Sequence, residues 1–399
     1  MKRIKVMLST GVVLIVLVAF TVLRIGSVRA AAPNSATWHQ VASPNEGSEG
    51  GGSLRSVAAI SNKDIWSVGQ YYTVINNESV PQTLAEHWNG TKWSVVSTPD
   101  PSSTESWLNG VAAASSDDVW AVGWYQDSSG AFYTLIEHWD GTQWSVIPSP
   151  NVGGSGLLGV TAISSDDVWA VGDDDAGSLV EHWNGSQWSI VPSANPSNAS
   201  GVELQGITAF ANNDIWAVGN YINDSTYQTV TLTEHWDGSA WSIVSSPNGG
   251  VAGSTNLLTG VAGVSTNDLW AVGYNQHHTP QHKYIEQTLT EHWNGTQWSV
   301  VSSPDPSPLN STVYGVAALA SNNVWAVGSY KDKATGEFPE LILHWNGTKW
   351  LKVAPPAFET GITGCTVYAL TLVPHTSALW SVGQAAQNNN AVTFITTNK

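Results

Sequence analysis

Residues 119–123 read Val-Trp-Ala-Val-Gly, and residues 137–147 read Glu-His-Trp-Asp-Gly-Thr-Gln-Trp-Ser-Val-Ile. The first stretch is a β-branched and aromatic strand ending on glycine. The second is two strands joined by Asp-Gly, a dipeptide suited to the tight hairpin whose twist matches its flanking strands. Neither stretch has a helical period. Both recur along the chain. Trp-x-Val-Gly begins at Trp66, Trp120, Trp169, Trp216, Trp270, Trp325 and Trp380, at intervals of 54, 49, 47, 54, 55 and 55 residues. His-Trp-(Asn/Asp)-Gly-x-x-Trp occurs six times, with first tryptophans at Trp88, Trp139, Trp183, Trp236, Trp293 and Trp345. Self-similarity at about fifty residues marks the blades of a propeller.

Each unit reads as four short antiparallel strands. In the second, Leu108–Ala113 is followed by a polar turn at Ser115–Asp118, then by Val119–Gly123. Thr134–Trp139 and Trp144–Ile147 complete it. Blades crowd together at the axis, so one position of the innermost strand must be small. It is Ser56, Gly110, Gly159, Gly206, Gly260, Gly315 and Ala369. Outward the blades splay, and tryptophan supplies the bulk that fills the widening gap. The repeat accounts for all but Trp107 and Trp124 of the 22 tryptophans. The seventh unit lacks its outer strand, and residues 37–44, Thr-Trp-His-Gln-Val-Ala-Ser-Pro, carry that pattern. The expected fold is therefore all-β, a seven-bladed β-propeller of four-stranded antiparallel blades. The N-terminal strand joins the last blade and leaves no broad edge unpaired. The propeller is assigned to residues 37–399.

Residues 1–36 read differently. Lys2, Arg3 and Lys5 precede an apolar run of 18 residues from Val6 to Leu23, and small residues follow near Ala30. This is the layout of a signal peptide over residues 1–30 with a linker at 31–36. The run also reaches the lower limit for a membrane anchor. Either way the propeller is expected to be secreted or held on the extracellular face of the membrane. Five of the 14 basic residues lie in that leader, leaving nine against 31 acidic ones, a net of −22, with Arg55 the only arginine. Such a surface repels phosphate backbones and argues against nucleic acid. Cys365 is the sole cysteine, so the fold relies on its core and not on a disulfide. The expected state is a monomer.

The repeats resemble those of kelch and galactose-oxidase-like propellers in length and strand order, and still more those of tryptophan-rich propellers of exported bacterial proteins. The resemblance spans about residues 37–397 and implies the fold, not an activity. The kelch double glycine is absent, and Asn/Asp abuts glycine where an Asp-box spaces them apart. A Val-Trp-x-Val flavour shared with tectonin-type lectins implies carbohydrate binding.

Five Glu-His pairs recur: Glu86-His87, Glu137-His138, Glu181-His182, Glu234-His235 and Glu291-His292. Strand neighbours point to opposite faces, so no pair can chelate one ion. They are read as polar positions in the packing between blades. His277, His278 and His282 share a loop, and Asp173, Asp174 and Asp175 another. Neither has strong ligand spacing, so no metal and no cofactor is assigned. One arginine cannot make a sialidase triad. The copper site of galactose oxidase lacks its ligands, and no Gly-x-Ser-x-Gly elbow occurs. No catalytic residue is assigned. Short uniform turns share one face, while the variable second-to-third loops and the blade linkers share the other. The variable face carries Tyr71, Tyr72, Trp124, Tyr125, Tyr133, Tyr221, Tyr274 and Tyr330, which are the candidate ligand contacts. Four of these tyrosines follow the motif glycine by two, so strand-end packing is the competing reading. The functional expectation is a non-catalytic extracellular binding or scaffold propeller taking a glycan or an extracellular or envelope protein. The alternative is an exported carbohydrate-active enzyme with carboxylates at the channel.

Overall fold

The computed structural model describes residues 37–45, 51–150, 153–279, 283–388 and 390–399. The leader and His282 lie outside these. Seven four-stranded antiparallel sheets follow one another, with no helix among the described residues. Blades 1 to 6 occupy residues 52–96, 105–146, 156–190, 199–243, 255–300 and 311–353. Blade 7 takes its first three strands from Ile362–Leu372, Leu379–Gln387 and Asn390–Thr397. Its outer strand is His39–Gln40, with His39 opposite Thr397 and Gln40 opposite Thr396. The Val41 amide extends the pairing to the Ile395 carbonyl at 2.9 Å. Trp38 is buried, 5.9 Å from Trp325 of blade 6. The ring closes as the sequence leads one to expect.

One irregularity is common to all blades. Each inner strand carries a register shift beside the small position, from Leu54/Ser56 in blade 1 to Val367/Ala369 in blade 7. The extra residue there bends the strand and re-aims its side chain. The bulge also explains the motif glycine. A Cβ on Gly123 would stand 1.8 Å from the Trp107 carbonyl oxygen, and the other six motif glycines meet the same obstruction. No side chain fits there. The outer hairpin needs its glycine for a different reason: Gly141 has φ of 90°. The preceding Asp140 carboxylate accepts from the Thr142 and Gln143 amides, and Asn89 does the same for Thr91 and Lys92. Turn chemistry is thus what the Asn-Gly and Asp-Gly dipeptides provide.

The core lies in the seams between blades. Trp120 of blade 2 packs 5.0 Å from Trp183 and 5.4 Å from Trp188, both of blade 3, and 4.3 Å from its own blade's His138. The other seams repeat this trio, except that Trp38 stands alone opposite Trp325.

Candidate functional site

The Glu-His pairs divide between seams. His138 faces the seam with the next blade, and there its Nε2 meets Oδ1 of Asp118 of its own blade at 2.8 Å and its ring lies against Trp120. The Trp120 indole donates to the same carboxylate oxygen at 2.8 Å. The His–Asp pair recurs in blades 1 to 5. In blade 6, Asn323 replaces the aspartate at 2.9 Å from His344. A neutral amide serves, so the bond and not the charge is what the seam requires. The glutamates point the opposite way, into the seam with the preceding blade, where Ser43, Ser193 and Ser246 donate to Glu86, Glu234 and Glu291. Blade 6 has Leu343 at that position. There Glu340 enters the next seam instead, accepting from Ser381 and Thr396. Burial raises these carboxyls: Glu181 and Glu291 to about 8, Glu234 and Glu340 to about 7, and Glu137, with Asp100 nearby, well above the usual range. Ser189, Ser242 and Ser299 donate to the backbone carbonyls of His182, His235 and His292, while the histidine rings bond aspartate or asparagine, so the constellation ties each blade's strands together at the seam.

Two broad clefts open on the short-turn face, over these seams. That between blades 4 and 5 holds about 600 Å³ and is floored by Asp214, Trp216, His235 and Trp293. Another of about 530 Å³, between blades 2 and 3, has Asp118, Trp120, His138 and Trp183. They repeat the seam and carry its chemistry. On the variable face a cavity of about 190 Å³ lies between Phe338 and the Cys365 region of blade 7. Burial, and then the charge of Glu340, pushes the Cys365 thiol well up.

The mouth of the channel on the variable face is where repetition fails. The bulge places Arg55, Asn109, Leu158, Gln205, Thr259, Tyr314 and Tyr368 at equivalent points around the axis. Arg55, the only arginine of the propeller, has its guanidinium 4.4 Å from the Tyr368 ring centroid and 5.3 Å from that of Trp107. Trp107 stacks on Trp124 at 5.5 Å with 16° between the planes, and Phe132 meets Trp124 edge-on. On the other side Tyr368 touches Tyr314 at 5.6 Å, and Tyr314 touches Tyr274 at 5.9 Å. An aromatic arc thus runs through blades 5, 6, 7, 1 and 2, with a cation within it. The two tryptophans that the repeat leaves over lie together, beside the lone arginine.

A second row, one step towards the loops, is set by cross-strand pairing. Trp107 opposes Trp124 in blade 2, Gly156 opposes Asp173 in blade 3, and Glu203 opposes Asn220 in blade 4. Asp173 therefore takes the place of Trp124, and Glu203 that of Trp107. The Asp173 carboxyl is raised to about 6 by burial, with the negative charges of Glu203, Asp174 and Asp175 adding to it. Tyr274 is raised by burial, and then by the charges of Glu286 and Glu203.

The eight aromatics expected at the site separate by register. Trp124 and Tyr274 follow the motif glycine by one residue and join the mouth arc. Tyr71, Tyr125, Tyr221 and Tyr330 follow it by two, on the opposite face of the strand, and pack against core clusters. Tyr330 is 9% exposed and lies under the Lys352 ammonium, which donates to its hydroxyl at 2.7 Å. Tyr133 stacks on its cross-strand partner Tyr125 at 5.4 Å. Tyr72 covers Gly51. Sequence reasoning did not select Arg55, Trp107, Tyr314 and Tyr368. Their common signal was departure from an otherwise uniform column. No group of three His, Cys, Asp or Glu side chains converges as a metal would require among the described residues.

No protein-family model and no curated protein sequence matches the chain. Solved structures do. One is an ulvan lyase of a polysaccharide lyase family, bound to a -[GlcA(1-4)Rha3S]- ligand. It is 10% identical with a TM-score of 0.57, over 89% of this chain and 97% of that one. The WD40 repeats of RRP9 match at 11% identity and a TM-score of 0.54, over 92% and 98% of the two chains. YCF48 bound to D1 peptide matches at 14% and 0.50, over 90% and 94%. At such identities the likeness shows the fold alone. The class is established: the chain is a seven-bladed β-propeller.

Proposed function

We propose that this chain is an exported, non-catalytic binding propeller that holds a glycan or an envelope-protein partner at the loop-side mouth of its channel. The observation that carries this reading is the convergence of Arg55, Trp107 and Trp124, the residues that the repeat does not account for, at one end of the axis. A wheel built only to be rigid has no use for them. Propellers of this shape hold a peptide in one neighbour and an acidic saccharide in another, so the fold does not choose between ligand kinds. The leader, which supports export, and the tryptophan-rich repeats of the kind seen in exported bacterial propellers belong to the same proposal, as does a monomeric state.

The test is retention of the purified propeller on glycan and cell-envelope arrays. Binding above background that disappears in Arg55→Gln and Trp124→Ala supports the reading. Binding untouched by both removes it. Mass spectrometry of the exported form decides between a cleaved leader and a retained anchor. One observation favours the enzyme alternative: Asp173, held near 6 beside Glu203, is a carboxyl able to exchange a proton near neutrality. Turnover of a polysaccharide that is lost in Asp173→Asn would establish it.

A further inference from the structure

Arg55 is chemically out of balance. It is partly buried, its Nε lacks a hydrogen-bond partner among the described residues, and two aromatic rings hold the guanidinium in place. Every ion pair among the described residues is a histidine–aspartate pair of the seams, so no described carboxylate answers this cation. A partly desolvated cation without a partner costs free energy that surface arginines do not incur.

The opposite imbalance lies farther around the same mouth. Asp173 and Glu203 occupy, in blades 3 and 4, the places that Trp107 and Trp124 fill in blade 2. Neither has an ion-pair partner among the described residues. The tryptophan pair of blade 2 stands between them and Arg55 in blade order, so these charges do not pair with each other. A ligand that brought only a carboxylate would answer Arg55 and meet a propeller of net charge −22. A ligand that brought only a cation would leave Arg55 unanswered.

Resting on the reading of the mouth as a binding site, we infer that its ligand carries both charges: a short peptide with free ends, its carboxylate on Arg55 and its ammonium at Asp173 and Glu203. Arginine offers a carboxylate two parallel donors, and Phe132, 39% exposed beside Trp124, offers an apolar surface to the chain between.

Alanine-glycine peptides of two to eight residues, free or capped, test this by calorimetry on the folded propeller. One length, or a narrow range of lengths, should bind, since the span between the charges is fixed. Acetylating the amine or amidating the carboxylate should each weaken binding about tenfold, the ordinary value of one charge-assisted contact. In Arg55→Gln, amidation should make no further difference. In Asp173→Asn and Glu203→Gln, acetylation should make none. Capped peptides that bind as well as free ones would overturn the inference, as would discrimination that survives in Arg55→Gln. Uronic-acid oligosaccharides that bind while peptides do not would overturn it too, and would leave the broader reading of the mouth standing. Failure of every probe, with arrays also blank, removes both.

Discussion

The seams and the channel mouth are built from the same strands and obey opposite rules. In a seam, six blades place His87 or its counterpart against the motif tryptophan, with an aspartate or asparagine behind it. At the mouth, the equivalent row reads Gln70, Trp124, Asp173, Asn220, Tyr274, Ser329 and Gln384. The seams meet the same geometric demand, so one solution serves six blades, and blade 7 sets Thr397 opposite its motif tryptophan. The mouth meets whatever lies outside, and no two blades need answer it alike. In a repeat protein, then, sameness marks what the scaffold needs, and departure marks where to seek function.

The comparison breaks most visibly if a seam residue proves dispensable. Trp270, 1% exposed between His292, Trp345 and Trp350, should cost about 3–5 kcal/mol as Trp270→Ala in denaturant unfolding. Trp124→Ala at the mouth should cost about 1 kcal/mol. Equal losses would erase the distinction.

The buried glutamates give the next largest effect. Their folded pKa values lie above the ordinary 4.5, so the folded state binds protons more tightly than the unfolded chain. The stabilisation is full below about pH 4.5 and is lost as pH rises through 7 to 8. Stability should therefore fall from pH 5 to pH 9. Glu181→Gln should recover on the order of 1–3 kcal/mol at pH 9 and little at pH 5. A urea midpoint that rises over this range would refute the burial argument.

Smaller effects sharpen the picture. Because Asn323 already bonds His344, Asp118→Asn should change stability by less than about 0.5 kcal/mol, while Asp118→Leu, which strands His138 and the Trp120 indole, should cost about 1–2 kcal/mol. Smallest of all, Arg55→Gln removes a cation that has no ion-pair partner among the described residues. It should leave the melting temperature unchanged or slightly raised, as binding residues often do. A clear loss would make Arg55 a scaffold residue.

The wheel was legible because its demands repeat. Seven Trp-x-Val-Gly motifs fixed the blade count, and Trp38 announced the closing strand. Strand alternation separated each glutamate from its histidine before any coordinates did. The arrangement of the mouth was less legible than the wheel. Tyr71, Tyr125, Tyr221 and Tyr330 sit beside variable loops in sequence, and a two-residue step from the glycine packs them against core clusters, Tyr330 buried and the other three partly so. Arg55, Tyr314 and Tyr368 owe their positions to a bulge that breaks the alternation, and only the register shows it. Trp107 stood out as unassigned, but its contact with Arg55 spans two blades.

The most direct measurement pairs one mouth variant with one seam variant and follows stability and ligand retention in both. Arg55→Gln should retain about tenfold less ligand while melting like the parent protein, and His138→Ala should melt earlier while still retaining ligand on the same array. Undiminished binding in Arg55→Gln, together with binding lost in folded His138→Ala, would place function in the seams and contradict the account.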